Sequence, residues 1–103
     1  MTIIDLSHID SFDWDAGNRV KNVIGHAVSN KESEEAIFNR PVFFFEDEKH
    51  SLVEQRFLAL GRSNVGRLLT IVFTVRESKI RVISARDMHK KERLVYENLQ
   101  KNS

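Results

Sequence analysis

The sequence predicts an α+β domain in which two N-terminal helices precede a four-stranded antiparallel sheet and a C-terminal helix packs on that sheet. Three features indicate this fold. Ser29, followed three residues later by Glu32, forms a capping box that typically opens a helix. Residues 67–76 place apolar side chains at alternate positions, which is typical of a strand. Residues 88–101 space their apolar side chains as a helix does. A chain of 103 residues has room for one domain with a single modest core.

The first part of the chain contains the two predicted N-terminal helices. Residues 1–11 show no clear period and are interpreted as an N-terminal extension, so the predicted domain spans residues 12–100. Residues 12–14 alternate in character and can form a short strand, after which Asp15 can cap a first helix that ends near Gly25. The second helix begins at the capping box and stops before Pro41, because the residue that precedes a proline is kept out of helical geometry.

Four predicted strands follow the second helix. They comprise residues 42–45, 54–60, 67–76 and 79–86. The turn formed by Glu77 and Ser78 is short enough to join the last two strands as an antiparallel hairpin. In this hairpin we expect Ile71, Phe73 and Val82 to face the core.

The C-terminal helix is predicted to have two distinct faces. Met88 and Leu99 belong to an apolar stripe that packs against the sheet. His89, Arg93 and Tyr96 follow one another at helical spacing on a neighbouring face. This second face adds polar side chains to the arginines that the strands carry.

Charge is unevenly distributed along the chain, although the net charge is only +1. Residues 1–50 contain five basic and ten acidic residues, and residues 51–103 contain eleven basic and five acidic residues. A surface polarised in this way could steer an anion such as RNA towards one face. The alternative is that the two half-chain charges do not correspond to two faces once the chain has folded.

Composition and motifs argue against several kinds of site. The sequence has no cysteine, so disulfides, thiol nucleophiles and zinc–thiolate sites are excluded. Its four histidines are scattered singly, which argues against a metal site. Neither a glycine-rich phosphate loop nor the glycines of a nucleophile elbow are present. No apolar segment approaches the roughly 18 residues of a membrane span, and the first residues lack the pattern of a leader. We therefore expect a cytoplasmic protein with no cofactor, no metal and no membrane contact.

The remaining polar residues suit RNA cleavage without a metal, which requires a general base, a general acid and cations on the phosphate. The candidate site residues are Glu54, Arg56, Arg81, Arg86, His89, Arg93 and Tyr96. Glu54 or His89 is expected to transfer protons, the arginines to supply fixed charge, and Tyr96 to donate a hydrogen bond. Each has a structural alternative. A strand arginine can simply protect a sheet edge, and Glu54 can form a cross-strand ion pair with Arg67 or Arg76.

A longer pattern connects these residues. It includes Phe12-Asp13-Trp14-Asp15, Glu54-Gln55-Arg56, Gly66-Arg67-Leu68-Leu69 and, as its most specific part, Arg81-Val82-Ile83-Ser84-Ala85-Arg86, followed by Glu92-Arg93 and Tyr96. Over about residues 12–97 the chain resembles the BrnT family of toxins. The resemblance implies a small ribonuclease with a RelE-like fold that cleaves RNA and inhibits translation. It also implies a BrnA antitoxin, encoded beside the toxin, that neutralises it and binds operator DNA through a ribbon-helix-helix domain.

The chain departs from the family pattern at both ends of the first predicted helix. BrnT sequences usually read Trp-Asp-Pro-x-Lys early in the first helix and Lys-His-Gly at its end, whereas this chain has Asn18 and Gly25 in place of the two lysines. Loss of these cations weakens phosphate binding if they line the cleft. Two alternatives therefore stay open: a catalytically weakened BrnT-like module that binds a partner or RNA without cleaving it, and an interaction protein with no nucleic-acid role.

Overall fold

The computed structural model describes residues 11–14, 27–47, 49 and 54–102, which form a five-stranded sheet with a helix on each face. The strands are β1 (Ser11–Phe12), β2 (Phe43–Glu46), β3 (Phe57–Arg62), β4 (Leu68–Arg76) and β5 (Lys79–Asp87), and the helices are α1 (Asn30–Phe38) and α2 (Lys90–Lys101). Across the sheet the strand order is β1-β5-β4-β3-β2. Neither helix of the described ranges is long and apolar enough to cross a bilayer.

The prediction of a four-stranded antiparallel sheet is wrong. Strands β2 to β5 form an antiparallel meander, but β1 adds a fifth strand that runs parallel to β5 and makes the sheet mixed. This strand is two residues long and begins one residue before the short strand expected at residues 12–14. Phe12 stabilises the pairing because its ring packs on Trp14 at 5.8 Å and on Phe38 at 5.4 Å.

The predicted arrangement of two helices before the sheet is also not what the structure shows. In the described ranges, α1 is the helix that precedes β2, and β1 precedes α1. The first predicted helix, from Asp15 to about Gly25, lies outside the described residues, as do Asn18 and nearly all of the predicted extension. Ser11, the last residue of that extension, pairs with Lys79 in the sheet.

Helix α1 begins at the predicted capping box. The Glu32 N–H donates to Ser29 Oγ at 3.1 Å, and the Ser29 N–H donates back to Glu32 Oε1 at 3.1 Å. The helix ends at Phe38, and the N–H of the next residue, Asn39, donates to the Glu35 carbonyl at 2.8 Å. Both the start of this helix and its end before Pro41 are confirmed.

The main core lies between α1 and one face of the sheet. Its buried residues are Val28, Ala36, Ile37, Ala59, Leu69, Ile71, Phe73, Ile80, Val82 and Ala85. Phe73 is fully buried at the centre of this cluster, where Phe44 and Phe57 lie against its ring at 6.1 and 5.6 Å. The expectation that Ile71, Phe73 and Val82 face the core is therefore confirmed.

A second core forms between α2 and the opposite face of the sheet. Phe45, Leu60, Met88 and Tyr96 are its buried residues. The expectation that placed Tyr96 on a polar face of the helix is wrong, because Tyr96 is only 1% exposed and packs edge-on against Phe43 at 5.7 Å. Tyr96 lies within one turn of Leu99 and so belongs to the apolar stripe.

Strands β4 and β5 form the predicted antiparallel hairpin, but β5 contains a β-bulge. Phe73 pairs with Val82 and Val72 pairs with Ser84, so Ile83 is an extra residue between the two pairs. Bulges of this kind redirect the side chains that follow them.

This bulge determines the face on which two of the arginines lie. In a regular strand side chains alternate, so residues 81 and 86 would lie on opposite faces. In the structure Arg81 pairs with Thr74 and Arg86 pairs with Thr70. The two threonines share a face because they are four residues apart on β4. Both arginines therefore lie on that face, which α2 also occupies.

Candidate active site

A groove opens on the α2 face of the sheet beyond the end of the second core. Its volume is about 350 Å³, and its lining residues are Asp47, Arg56, Leu58, Val72, Ile83, Ser84 and Arg86. We call it the arginine groove. Apolar side chains of three strands line it together with two guanidinium groups, a carboxylate and a hydroxyl. An anion with an apolar or aromatic part, such as a nucleotide, matches this mixture of cationic and apolar surface.

The β-bulge shapes this groove as well as the sheet. Ile83 and Ser84 are consecutive residues, and both line the groove. Strict alternation would send one of the two to the opposite face. Because Ile83 is the extra residue of the bulge, both side chains reach the same cavity, and Arg86 follows them on the same face. Bulges are common next to active sites for this reason.

Arg86 is held by Glu92 of α2 in a two-point ion pair. Arg86 Nη1 donates to Glu92 Oε1 at 2.8 Å, and Nη2 donates to Oε2 at 2.9 Å. Nη1 also reaches the Asp87 carbonyl at 3.3 Å. The side chains of Arg86 and Glu92 are 24% and 20% exposed, so solvent screens this pair only in part.

The Glu92 carboxylate accepts two further hydrogen bonds. The Thr70 hydroxyl donates to Oε1 at 2.9 Å, and the backbone N–H of His89 donates to the same oxygen at 2.8 Å. Burial alone would raise the pKa of Glu92, but the bonds from Arg86, His89 and Thr70 outweigh it and lower the pKa to about 2. Glu92 is therefore ionised throughout the physiological range and keeps its charge beside Arg86.

The second arginine of the groove, Arg56, lies just before β3. Its carbonyl accepts a hydrogen bond from the Asp47 N–H at 2.8 Å, which continues the ladder of the β2–β3 pair. The ladder therefore brings Asp47 beside Arg56. Asp47 is not among the site residues that the sequence predicts. No local feature of the sequence reveals Asp47, because its place depends on the pairing of Glu46 with Phe57, which puts the next residue of each strand side by side.

Two other predicted site residues lie outside the lining of the groove. Arg81 is on the same face, where it lies 3.6 Å from the Asp13 carboxylate that follows β1. Glu54 forms an ion pair with Arg76 at 2.9 Å near the β4–β5 turn. The structure thus shows the cross-strand ion pair that was the alternative for Glu54.

The three predicted residues of the C-terminal segment have separate positions. His89 is exposed at the N-cap of α2 and contacts the site through its backbone N–H. Arg93 is exposed and donates to the Met88 carbonyl at 2.9 Å. The buried Tyr96 hydroxyl donates to the Pro41 carbonyl at 2.7 Å, and burial raises its pKa. Of these three, His89 alone has a contact with the Glu92 carboxylate that holds Arg86.

The uneven charge of the two halves of the chain is partly neutralised inside the fold. Arg67 donates to Asp87 at 2.7 Å, to Glu32 at 3.2 Å and to the Ala27 carbonyl at 3.0 Å. It therefore ties the start of α1 to the ends of two strands. Its hydrogen bond lowers the pKa of Asp87. An acidic residue of the first half is thus paired with a basic residue of the second, so the half-chain charges do not map simply onto two faces.

In the described part of the chain, no three acidic or histidine side chains lie close enough together to hold a metal ion. The arginine groove contains one carboxylate, that of Asp47, among its lining residues. Its cationic groups are guanidinium groups, which keep their charge at any physiological pH and suit phosphate by shape as well as by charge.

Comparison with known proteins identifies the family. No curated protein matches the chain. A family model described as the ribonuclease toxin, BrnT, of type II toxin–antitoxin systems matches residues 14–92, which include all the lining residues of the arginine groove and Glu92. Type II toxins act together with a protein antitoxin, and for this family the target is RNA. The match covers well over half of the chain, and the resemblance read from the sequence is confirmed. The chain belongs to the BrnT family of ribonuclease toxins of type II toxin–antitoxin systems.

Proposed function

We propose that this protein cleaves RNA in the arginine groove and that Arg56 and Arg86 bind the scissile phosphate. The observation that carries the proposal is the presence of both guanidinium groups in one cavity with a carboxylate. Two cations stabilise the additional negative charge that a phosphate acquires in the transition state. The planar guanidinium group also matches the geometry of two phosphate oxygens.

The proposed reaction is an internal transfer at phosphorus. The ribose 2′-oxygen attacks the adjacent phosphorus atom, and the bond from phosphorus to the 5′-oxygen of the next nucleotide breaks. The products carry a 2′,3′-cyclic phosphate and a 5′-hydroxyl. We assign Asp47 as the base that takes the 2′-hydroxyl proton, because it is the carboxylate that lines the groove. We assign His89, carried by the segment that follows Arg86, as the acid that protonates the leaving oxygen.

The other predicted site residues have secondary roles or none in this proposal. Arg81 shares the face of the groove but is engaged with the Asp13 carboxylate at 3.6 Å, and we assign it no step in the mechanism. Glu54, Arg93 and Tyr96 are left out of the mechanism. Each is engaged elsewhere, with Arg76, with the Met88 carbonyl and with the Pro41 carbonyl respectively.

The cellular consequence that we propose is inhibition of translation in the cytoplasm through RNA cleavage. The proposed partner is a BrnA-like antitoxin with a ribbon-helix-helix domain, which neutralises the toxin and through which the complex binds operator DNA. Membership of a type II toxin–antitoxin family supports the existence of a protein antitoxin. The identity of that antitoxin and its DNA binding belong to the proposal.

The chemistry can be tested with an end-labelled RNA oligonucleotide and purified protein in EDTA. We expect cleavage to persist in the chelator and to leave a 2′,3′-cyclic phosphate. A matched oligonucleotide with a single 2′-deoxy sugar at the cleaved position is the control, and it should stay intact at that position. Cleavage of the deoxy position, or loss of all activity in EDTA, would overturn the proposed mechanism.

A further inference from the structure

We propose that Glu92 is a positioning residue for catalysis: it holds one end of the Arg86 guanidinium and leaves the Nε edge of that group to bind the scissile phosphate. This inference rests on the proposed function of the arginine groove. It assigns a role to a carboxylate that does not itself line the groove and touches no substrate.

The contacts show which part of the guanidinium is occupied. This group carries five N–H donors in one plane, arranged in forks that match carboxylate and phosphate oxygens. Glu92 engages the fork formed by Nη1 and Nη2, at 2.8 and 2.9 Å. The remaining fork is formed by Nε and the outer hydrogen of Nη2. The described residues provide no acceptor for Nε, so this edge can receive two phosphate oxygens.

Glu92 is itself fixed from two directions. The Thr70 hydroxyl holds it from β4 in the sheet, and the His89 N–H holds it from the start of α2. Because Glu92 is held by both a strand and a helix, these two elements together fix the position of the Arg86 guanidinium. Arg86 otherwise has several rotatable bonds and would lose conformational entropy each time it bound a phosphate. Glu92 removes that cost before the substrate arrives.

The expected kinetic signature follows from charge. Glu92 is negative and lies beside the cation of the groove, so it reduces the positive field that attracts RNA. If the only role of this residue were to strengthen RNA binding, a negative charge at this position would work against it. Its benefit must therefore appear in the chemical step, where accurate placement of a catalytic group matters most.

Glu92→Gln is the informative variant, and the chain provides a matched control in Glu32→Gln. Both glutamates are the third residue of their helix, both accept from the backbone N–H of the N-cap, and both pair with an arginine. Glu32 pairs with Arg67, which is not a residue of the arginine groove. Loss of helix capping should therefore affect the two variants alike, whereas loss of positioning should affect only Glu92→Gln.

The experiment measures single-turnover cleavage of the end-labelled RNA, affinity for a fully 2′-deoxy analogue that cannot be cleaved, and unfolding in urea. We expect Glu92→Gln to cleave about 10²-fold more slowly than wild type, with an affinity for the analogue equal to or higher than that of wild type. Glu32→Gln should cleave at the wild-type rate although it unfolds at lower urea.

Two results would overturn the inference while the proposed function stands. One is wild-type cleavage by Glu92→Gln, and the other is an equal loss of cleavage in both variants, which would show a capping role only. A wild-type protein that leaves the RNA intact would instead overturn the proposed function itself.

Discussion

Arg86 and Glu92 join the last strand to the last helix through two hydrogen bonds of 2.8 and 2.9 Å. Helix α2 therefore has two roles. Its apolar side, with Tyr96, closes the second core, and its first turn fixes a cation of the arginine groove. A change at the start of α2 is expected to alter the site even where the core is intact.

The pair makes a specific prediction about stability and pH. The pKa of Glu92 is about 2 in the folded protein, below its ordinary value of 4.5. Because the pKa of Glu92 is lower in the folded protein than in the unfolded chain, the ionised carboxylate stabilises the fold fully at pH values above 4.5. This stabilisation is lost as the pH falls from 4.5 towards 2. We expect Glu92→Gln to be less stable than wild type at pH 7 by up to about 3 kcal/mol, with the difference shrinking at pH 3. Urea unfolding at both pH values measures it. Glu97→Gln, at an exposed site on the same helix, is the control and should show no such difference.

The main core gives a prediction about packing. Phe73 is fully buried and contacts two other aromatic rings, so Phe73→Ala should lower the free energy of unfolding by about 3–5 kcal/mol. Leu94→Ala is the comparison, because Leu94 is 52% exposed on α2. Its effect should stay within about 0.5 kcal/mol. Equal effects of the two variants in urea unfolding would show that the core is not where the structure places it.

Tyr96 distinguishes a structural role from a catalytic one. Its hydroxyl donates to the Pro41 carbonyl at 2.7 Å in a buried position. Tyr96→Phe should therefore cost about 0.5–1.5 kcal/mol of stability and leave RNA cleavage unchanged. A large loss of cleavage without a matching loss of stability would return Tyr96 to the list of catalytic residues.

The antitoxin is predicted from the family. Co-expression with a BrnA-like protein encoded beside the toxin should yield a complex that survives purification, and it should restore the growth of cells that produce the toxin. Arg86→Ala should still form the complex if the antitoxin recognises more than the groove. Wild-type protein obtained in high yield from cells that lack the antitoxin would contradict the prediction of toxicity.

Local signals in the sequence predicted those parts of the fold that depend on neighbouring residues. The capping box at Ser29 and the short turn at Glu77 act over a few residues, and the structure contains both α1 and the β4–β5 hairpin. Alternation also placed Phe73 in the core. These features need no knowledge of distant parts of the chain.

The features that sequence reasoning missed depend on partners far along the chain. The pairing of β1 with β5 joins residues 11–12 to residues 79–80, and Asp47 joins the groove because β2 pairs with β3. The bulge at Ile83 was also missed, although it places Arg81 and Arg86 on one face. Helical spacing grouped Tyr96 with His89 and Arg93 on one face. The structure buries Tyr96 instead, and its hydroxyl is satisfied by the Pro41 carbonyl, so the whole side chain can leave the solvent.

The central claim is that the two arginines of the groove perform the chemistry, and RNA cleavage by single arginine variants tests it most directly. The comparison is between Arg56→Ala, Arg86→Ala and the control Arg76→Ala, whose arginine is exposed and paired with Glu54 away from the groove. Because Arg86 is paired with Glu92, Arg86→Ala should also lose about 1–2 kcal/mol of stability. Cleavage is therefore measured under conditions in which circular dichroism shows that all the variants are folded. We expect each groove variant to cleave about 10²–10³-fold more slowly than wild type and Arg76→Ala to match wild type. Folded Arg56→Ala and Arg86→Ala proteins that cleave RNA at the wild-type rate would contradict the account.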